Sequence, residues 1–195
     1  MRCACWKSDG MKYNPKTVLS IALGEVGYQE KETNHKLDHR TENAGDENYT
    51  KYARDLDAIN FYNGKKNGFA WCDVFVDWCF VKAFGETAAK RITFQPALFL
   101  LNKGAGCRYS FGYYQDKNQI FSRPRVGDQI FFYGEDGISI CHTGLVLDVD
   151  DVYVHTVEGN TSDDAGVVAN GGEVCKKKYC LTDKRLAGYG RPEYE

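Results

Sequence analysis

The sequence predicts an α+β fold, with helices in the first part of the chain and an antiparallel sheet in the second. Apolar residues recur at helical spacing before about residue 105, whereas short alternating or β-branched runs follow residue 120. Helices followed by runs of strands are typical of α+β proteins. With 195 residues and 43% hydrophobic content, the chain can build one sizeable core. We therefore expect a loosely ordered leader at 1–16 and a single domain at 17–195, helical over about 17–105 and sheet-forming over about 120–192.

Three helices are predicted in the first part. Asn14-Pro15 marks a turn before Thr17, a candidate N-cap for a helix over 17–31. A second helix is predicted over 49–62, where apolar side chains again recur at helical spacing. The third segment, WCDVFVDWCFVKAFG, carries an apolar stripe and ends at Gly85.

Six segments of the second part have the composition of strands. They are VGDQIFFYG, CHTGLVLDV, DVYVHTVEG, AGVVAN, GEVCKKKYC and RLAGYGRP. Asn170-Gly171, at the junction of the fourth and fifth segments, is typical of a hairpin turn. We expect these segments to form an antiparallel sheet.

Charge and hydropathy exclude several classes of partner. The net charge is −2 and the isoelectric point is near 6.1, so the chain lacks the broad basic surface that binds nucleic-acid phosphates or anionic lipid. The N-terminus shows no signal-peptide pattern, and no apolar stretch is long enough to cross a bilayer. We expect a monomer that is synthesised in the cytoplasm, binds no nucleic acid and does not insert into a membrane.

The chain has eight cysteines. Dense disulfide frameworks belong to chains too short to build a core, so we expect most of these thiols to be free and buried. A zinc site made by Cys175 and Cys180 with Cys3 and Cys5 is the weaker alternative, because the spacing fits poorly.

Cys72 lies where a glycine-containing loop, GFAW, gives way to the third helix. Unpaired N–H groups at a helix N-terminus lower the pKa of a thiol from about 8.5 and can also bind an oxyanion. The position suits a nucleophile. On position alone, packing at the head of a core helix is the commoner explanation.

Two of the strand segments bring a histidine and a carboxylate together. If residues 149–151 form a three-residue hairpin loop, His142 stands opposite Glu158, and Asn160 leans to the same face. A loop one residue longer or shorter would set His142 against the residue before or after Glu158. A carboxylate beside a histidine fixes its tautomer and supports the imidazolium formed when it takes a proton from a thiol. With Cys72, these are the residue types of a cysteine acyl-transfer site.

The segments AWCDVFVDWC, PRVGDQIFF, CHTGLVL and TVEGNTS follow one another in this order. In that combination the sequence resembles the CHAP domains, a cysteine, histidine-dependent amidohydrolase/peptidase group of papain-like peptidoglycan hydrolases found in phage endolysins and bacterial wall-remodelling enzymes. The resemblance extends from about Thr17 to Pro192. It implies a papain-like fold and an enzyme that cleaves an amide bond of bacterial peptidoglycan without a cofactor.

The resemblance also implies a role for each site residue. Cys72 would be the nucleophile, His142 the general base and then acid, and Glu158 the group that orients the histidine. Asn160 would polarise the histidine or help to bind the oxyanion. Some CHAP domains hold calcium through acidic residues in the loop before the nucleophile, but the loop at 61–71 has lysines and no carboxylates. No metal is therefore expected.

Several alternatives stay open at this point. Trp71 could stack on a sugar or stem peptide of the substrate, or it could be buried as an anchor for the helix start. His35 and His39 are four apart, a spacing that could bind metal on a helix, but their polar surroundings favour loop histidines. His155 is expected to be half-exposed on its strand.

The function also has rivals. The bond cut could lie in the stem peptide or cross-bridge, or between muramic acid and L-alanine, and the enzyme would reach the wall by lysis or secretion. The alternatives are an amidase acting on a small peptide conjugate, such as a glutathione adduct, and a non-catalytic wall-binding module.

Overall fold

The helices and strands occur in the predicted order. The computed structural model describes residues 13–168 and 170–194, in which five α-helices are followed by six strands. The helices are α1 (Pro15–Gly24), α2 (Lys51–Ala58), α3 (Cys72–Phe84), α4 (Glu86–Ile92) and α5 (Cys107–Gln115), with a 3-10 turn at Phe99–Leu101. The strands are β1 (Ile120–Phe121), β2 (Gln129–Tyr133), β3 (Ile140–Val149), β4 (Tyr153–Thr161), β5 (Glu173–Cys180) and β6 (Leu186–Gly190). The fold is therefore α+β, as the sequence predicted.

The six strands form one antiparallel sheet in the order β1-β6-β2-β3-β4-β5. β3 lies near the middle, between β2 and β4. Its residues from His142 to Val146 are buried, because α3 and α5 both pack against this strand.

α3 is the central helix of the structure. It packs against α1, α2 and α4 and against β3 and β4. Every residue from Cys72 to Phe80 is buried, as expected for a helix that is surrounded by packing partners. Among the described residues, no helix combines the length and the apolar content needed to span a bilayer.

The start of α1 differs from the prediction. The N-cap is Asn14, whose side chain accepts a hydrogen bond from the N–H of Lys16, and Pro15 opens the helix. Proline at the first helical position has no N–H to leave unpaired, so the turn predicted before Thr17 is already the first turn of the helix. The helix ends at Gly24, well before the predicted end at residue 31.

The predicted leader falls mostly outside the described residues. Residues 1–12 are not described, whereas residues 13–16 form the N-cap and the first turn of α1. Tyr13 is held by a hydrogen bond from its N–H to the carbonyl of Tyr194.

One predicted strand was wrong. In the segment AGVVAN, residues 165–168 and 170 lie in the connection between β4 and β5 and form no strand. The backbone of Thr161 passes so close to Gly171 that a Cβ there would lie 2.2 Å from the Thr161 carbonyl carbon. Gly171 therefore allows two backbone segments to pass close to each other, and Asn170-Gly171 is not the turn of a two-residue hairpin. The helices α4 and α5 and the short strand β1 were not predicted.

Candidate active site

Cys72 is the first residue of α3 and is 5% exposed. Its sulfur lies 3.4 Å from the sulfur of Cys107. The pKa of Cys72 is held well below its usual range by the hydrogen bond with Cys107, by the neighbouring imidazole of His142 and its charge, and by the backbone N–H of Asp73, against the opposing effect of burial. The predicted effect of the helix N-terminus is present, but two side chains contribute more.

His142 lies on β3 and is fully buried. Burial alone lowers the pKa of an imidazole, yet the neighbouring thiolate of Cys72 and the hydrogen bond and charge of Glu158 outweigh burial and raise the pKa of His142 to about 10. At neutral pH these shifts favour a thiolate on the cysteine and an imidazolium on the histidine. Nε2 of the ring lies 2.9 Å from Oε2 of Glu158, and Nδ1 has no hydrogen-bond partner within the described part of the chain.

Glu158 is held from three sides. Its Oε2 accepts a hydrogen bond from the hydroxyl of Tyr179 at 3.0 Å, in addition to the contact with His142. Its Oε1 accepts a hydrogen bond from the hydroxyl of Thr156. A buried carboxylate needs such donors to offset the loss of water. The three contacts fix its position and so fix the imidazole ring.

The predicted hairpin register was wrong, although the predicted contact forms. Val149 pairs with Val154 and Leu145 with Val157, so His142 is not directly opposite Glu158. Next to the turn, the observed pairing is displaced by three positions from the predicted register. A one-residue irregularity between Val146 and Asp148 reverses one of these three positions. The net displacement is two positions, which preserves the face of the sheet.

Gly144 makes the diagonal contact possible. The register places Glu158 beside this glycine, and a Cβ there would lie 2.4 Å from Cγ of Glu158. The side chain of Glu158 therefore passes over Gly144, which has no side chain, and reaches the ring of His142, two residues before this glycine on β3.

Asn160 lies on β4 two residues after Glu158 and is buried, with φ of 54°. The prediction that it faces His142 relied on regular alternation. The pairing of β4 with β5 is irregular between Glu158 and Thr161, so alternation does not place the side chain. The role of Asn160 stays a prediction.

The structure does not support Trp71 as a surface for substrate. The residue is fully buried, packs against the rings of Tyr28, Tyr52 and Phe75, and donates a hydrogen bond from Nε1 to Oε2 of Glu30 at 2.5 Å. A ring without exposed surface cannot stack on a sugar. The alternative that Trp71 anchors the start of α3 agrees with these contacts.

Three residues of the site were missed from the sequence. Cys107 comes from an unpredicted helix, and no local pattern connects it with Cys72. Thr156 precedes Glu158 by two positions on a predicted strand, so alternation could have found it. Tyr179 lies on β5, and its contact with Glu158 depends on the long connection before that strand.

The described cysteines are free, as expected. Four are buried, Cys141 is half-buried and Cys180 is exposed. Cys3 and Cys5, the other two members of the alternative zinc site, lie outside the described residues.

The other histidines lie on the surface. His35 and His39 belong to an irregular segment with no helix, where His39 pairs with Glu42. His155 is half-exposed and lies 3.1 Å from Asp150, as expected for a strand histidine.

One group of carboxylates could hold a cation. The exposed side chains of Glu32, Asp46 and Glu47 have oxygen atoms within 4.8 Å of one another. They precede the loop at 61–71 in the chain. Exposed acidic groups of this kind are common without a metal.

Comparison with known proteins gives one family. Residues 64–160 match the family model of the CHAP domain, which is just under half of the chain and shorter than the resemblance noted in the sequence. No curated protein matches the chain. Over residues 64–160, which include Cys72, His142 and Glu158, the chain is similar to the CHAP domain, a family of cysteine, histidine-dependent amidohydrolases and peptidases that generally act on peptidoglycan.

Proposed function

We propose that the protein is a peptidoglycan hydrolase of the endolysin type, which cleaves an amide bond through an acyl-enzyme on Cys72. The observation that carries this proposal is the continuous arrangement of Cys72, His142 and Glu158, in which cysteine and histidine shift each other's pKa in the directions that favour an ion pair. The CHAP match supports peptidoglycan as the class of substrate.

The geometry suggests how the reaction proceeds. The Cys72 thiolate attacks the carbonyl carbon of the amide, and the N–H groups at the start of α3 stabilise the oxyanion. Because Nε2 of His142 is engaged by Glu158, Nδ1 is the nitrogen that would donate its proton to the leaving amine. The same nitrogen then takes a proton from the water that hydrolyses the thioester.

The supporting residues have separate tasks in this proposal. Glu158 orients the ring of His142 and stabilises its positive charge, and Asn160 assists the ring or the oxyanion. The chain would act as a monomer on the cell wall after release by lysis or secretion, either on the stem peptide or cross-bridge or between muramic acid and L-alanine.

A second candidate function follows from the low exposure of the site. Cys72 is 5% exposed and His142 is fully buried, and narrow access of this kind favours a small substrate. An amidase acting on a small peptide conjugate would use the same three residues.

Digestion of purified sacculi tests the proposal. Wild type should release fragments whose new amino termini, identified by mass analysis, show which bond is cut. Cys72→Ala should release none while unfolding at a normal temperature, because the thiol contributes little volume. Cys180→Ser changes an exposed cysteine and is the matched control. Wall digestion by Cys72→Ala at the wild-type rate would refute the nucleophile, and hydrolysis of glutathione conjugates without any attack on sacculi would favour the second candidate.

A further inference from the structure

A second buried thiol lies against the proposed nucleophile, and in the proposed acyl-enzyme mechanism it neither attacks the substrate nor transfers a proton. The sulfur atoms of Cys72 and Cys107 are 3.4 Å apart, and Cys107 is 6% exposed. Each cysteine is the first residue of its helix, Cys72 in α3 and Cys107 in α5. The starts of two helices thus meet at one pair of sulfur atoms.

The approach of the two sulfur atoms is set by core packing. Ser110 of α5 donates a hydrogen bond to Oδ2 of Asp73 in α3 at 2.8 Å, one turn beyond Cys107 and one residue beyond Cys72. Both cysteines also belong to one buried cluster with Tyr114 and Phe131. A disulfide needs the sulfur atoms closer by about 1.4 Å. Small rotations of two side chains can supply this movement.

We propose that Cys72 and Cys107 form a site of reversible oxidative modification, in which a hydroperoxide such as hydrogen peroxide oxidises Cys72 and Cys107 then closes a disulfide. In the first step the Cys72 thiolate attacks a peroxide oxygen, so that an S–O bond forms, the O–O bond breaks, and hydroxide leaves and is protonated to water. In the second step the Cys107 sulfur attacks the Cys72 sulfur, an S–S bond forms, the S–O bond breaks, and the Cys107 proton leaves with the hydroxide as a second water. Two thiols are oxidised and one peroxide is reduced to two waters.

The electrostatics of the pair fit this order of events. The hydrogen bond and charge of Cys72, together with burial, raise the pKa of Cys107 well above its usual range. The negative charge therefore resides on Cys72, which makes it the sulfur that reacts first with peroxide. Formation of the sulfenic acid removes that charge and so removes a cause of the raised pKa of Cys107.

Among the described cysteines, Cys141 is a second candidate partner for an oxidised Cys72. It is close enough to influence the pKa of Cys107, but its sulfur contacts the guanidinium of Arg185 at 3.8 Å. It therefore provides the matched control for a test of Cys107.

Inhibition of hydrolysis by this disulfide rests on the proposed function, since it requires Cys72 to be the nucleophile. Formation of the disulfide does not rest on it. The chemical bond and the loss of activity can therefore be tested separately.

The experiment treats the full chain and the variants Cys107→Ser and Cys141→Ser with a small excess of hydrogen peroxide, and maps the digested peptides by mass spectrometry. We expect wild type and Cys141→Ser to lose two hydrogen atoms and to yield a peptide that links positions 72 and 107. In Cys107→Ser we expect a sulfenic acid at Cys72 that dimedone captures, followed by irreversible sulfinic acid. A wild-type map without the link, with Cys72 over-oxidised or joined to another cysteine, would overturn the proposal even if a variant failed to fold.

Activity on sacculi gives the second readout, each protein being compared with its own untreated sample. Dithiothreitol should restore most of the lost activity in wild type and Cys141→Ser and almost none in Cys107→Ser. Equal recovery in all three proteins would contradict a protective role of Cys107. If untreated wild type digests no sacculi, the proposed function fails, whereas the peptide map still decides whether the disulfide forms.

Discussion

Replacing Glu158 by glutamine tests the contact on which the proposed mechanism depends. The change keeps the size of the side chain and removes its charge. The amide oxygen can still accept from His142 and Tyr179, and the amide NH₂ group can face Thr156, whose hydroxyl can rotate to accept instead of donating. We therefore expect Glu158→Gln to fold and to remain partly active.

The size of the loss follows from the bond that is weakened. A hydrogen bond to a charged group contributes about 1.5–3 kcal/mol, so kcat/KM should fall roughly 10-fold to 100-fold when the partner of the imidazolium becomes neutral. Glu158 is also one cause of the raised pKa of His142, which is about 10. Without the carboxylate this pKa falls, and because the imidazolium is lost as the pH rises through its pKa, the alkaline limb of the pH profile should move to lower pH.

The assay is the initial rate of fragment release from sacculi as a function of pH, with thermal unfolding as a check of folding. Asp150→Asn makes the same acid-to-amide change in an exposed pair, that of His155 and Asp150, and should leave both rate and profile unchanged. A Glu158→Gln rate within a factor of two of wild type, with an unmoved alkaline limb, would show that Glu158 does not support His142 in catalysis.

Two further substitutions separate activity from stability. Gly144→Ala places a Cβ 2.4 Å from Cγ of Glu158, so the carboxylate must move and the rate on sacculi should fall by about the same factor as in Glu158→Gln. Gly64→Ala, whose added Cβ meets no atom within 4 Å, is the control. A normal rate for Gly144→Ala would contradict the diagonal contact between Glu158 and His142. Trp71→Phe leaves the buried carboxylate of Glu30 without its indole donor, which costs about 1–3 kcal/mol and should lower the unfolding temperature by several degrees while KM stays unchanged. A raised KM at an unchanged unfolding temperature would instead show that Trp71 contacts the substrate.

The sequence alone determined the local features of this protein. The apolar stripe that begins at Cys72 placed this thiol at the start of a helix, because helical periodicity is a property of neighbouring residues. The three-residue hairpin loop predicted at 149–151 put the side chains of His142 and Glu158 on one face of the sheet. That inference survived a wrong register because a displacement of two positions preserves the face, whereas a displacement of one would have reversed it.

Only the tertiary structure decided which distant residues meet. The partner of Cys72 is Cys107, 35 positions away, and no periodicity relates two residues whose helices are separated by α4 and by the connection that follows it. The sequence around Trp71 allows either a cleft or a core position for its ring. Its burial follows from contacts with residues earlier in the chain, namely Tyr28, Tyr52 and Glu30. Contacts of this kind depend on how whole helices and strands pack and on the path of each long connection. The packing free energy that decides between arrangements is shared over the entire core, so no short stretch of sequence determines it.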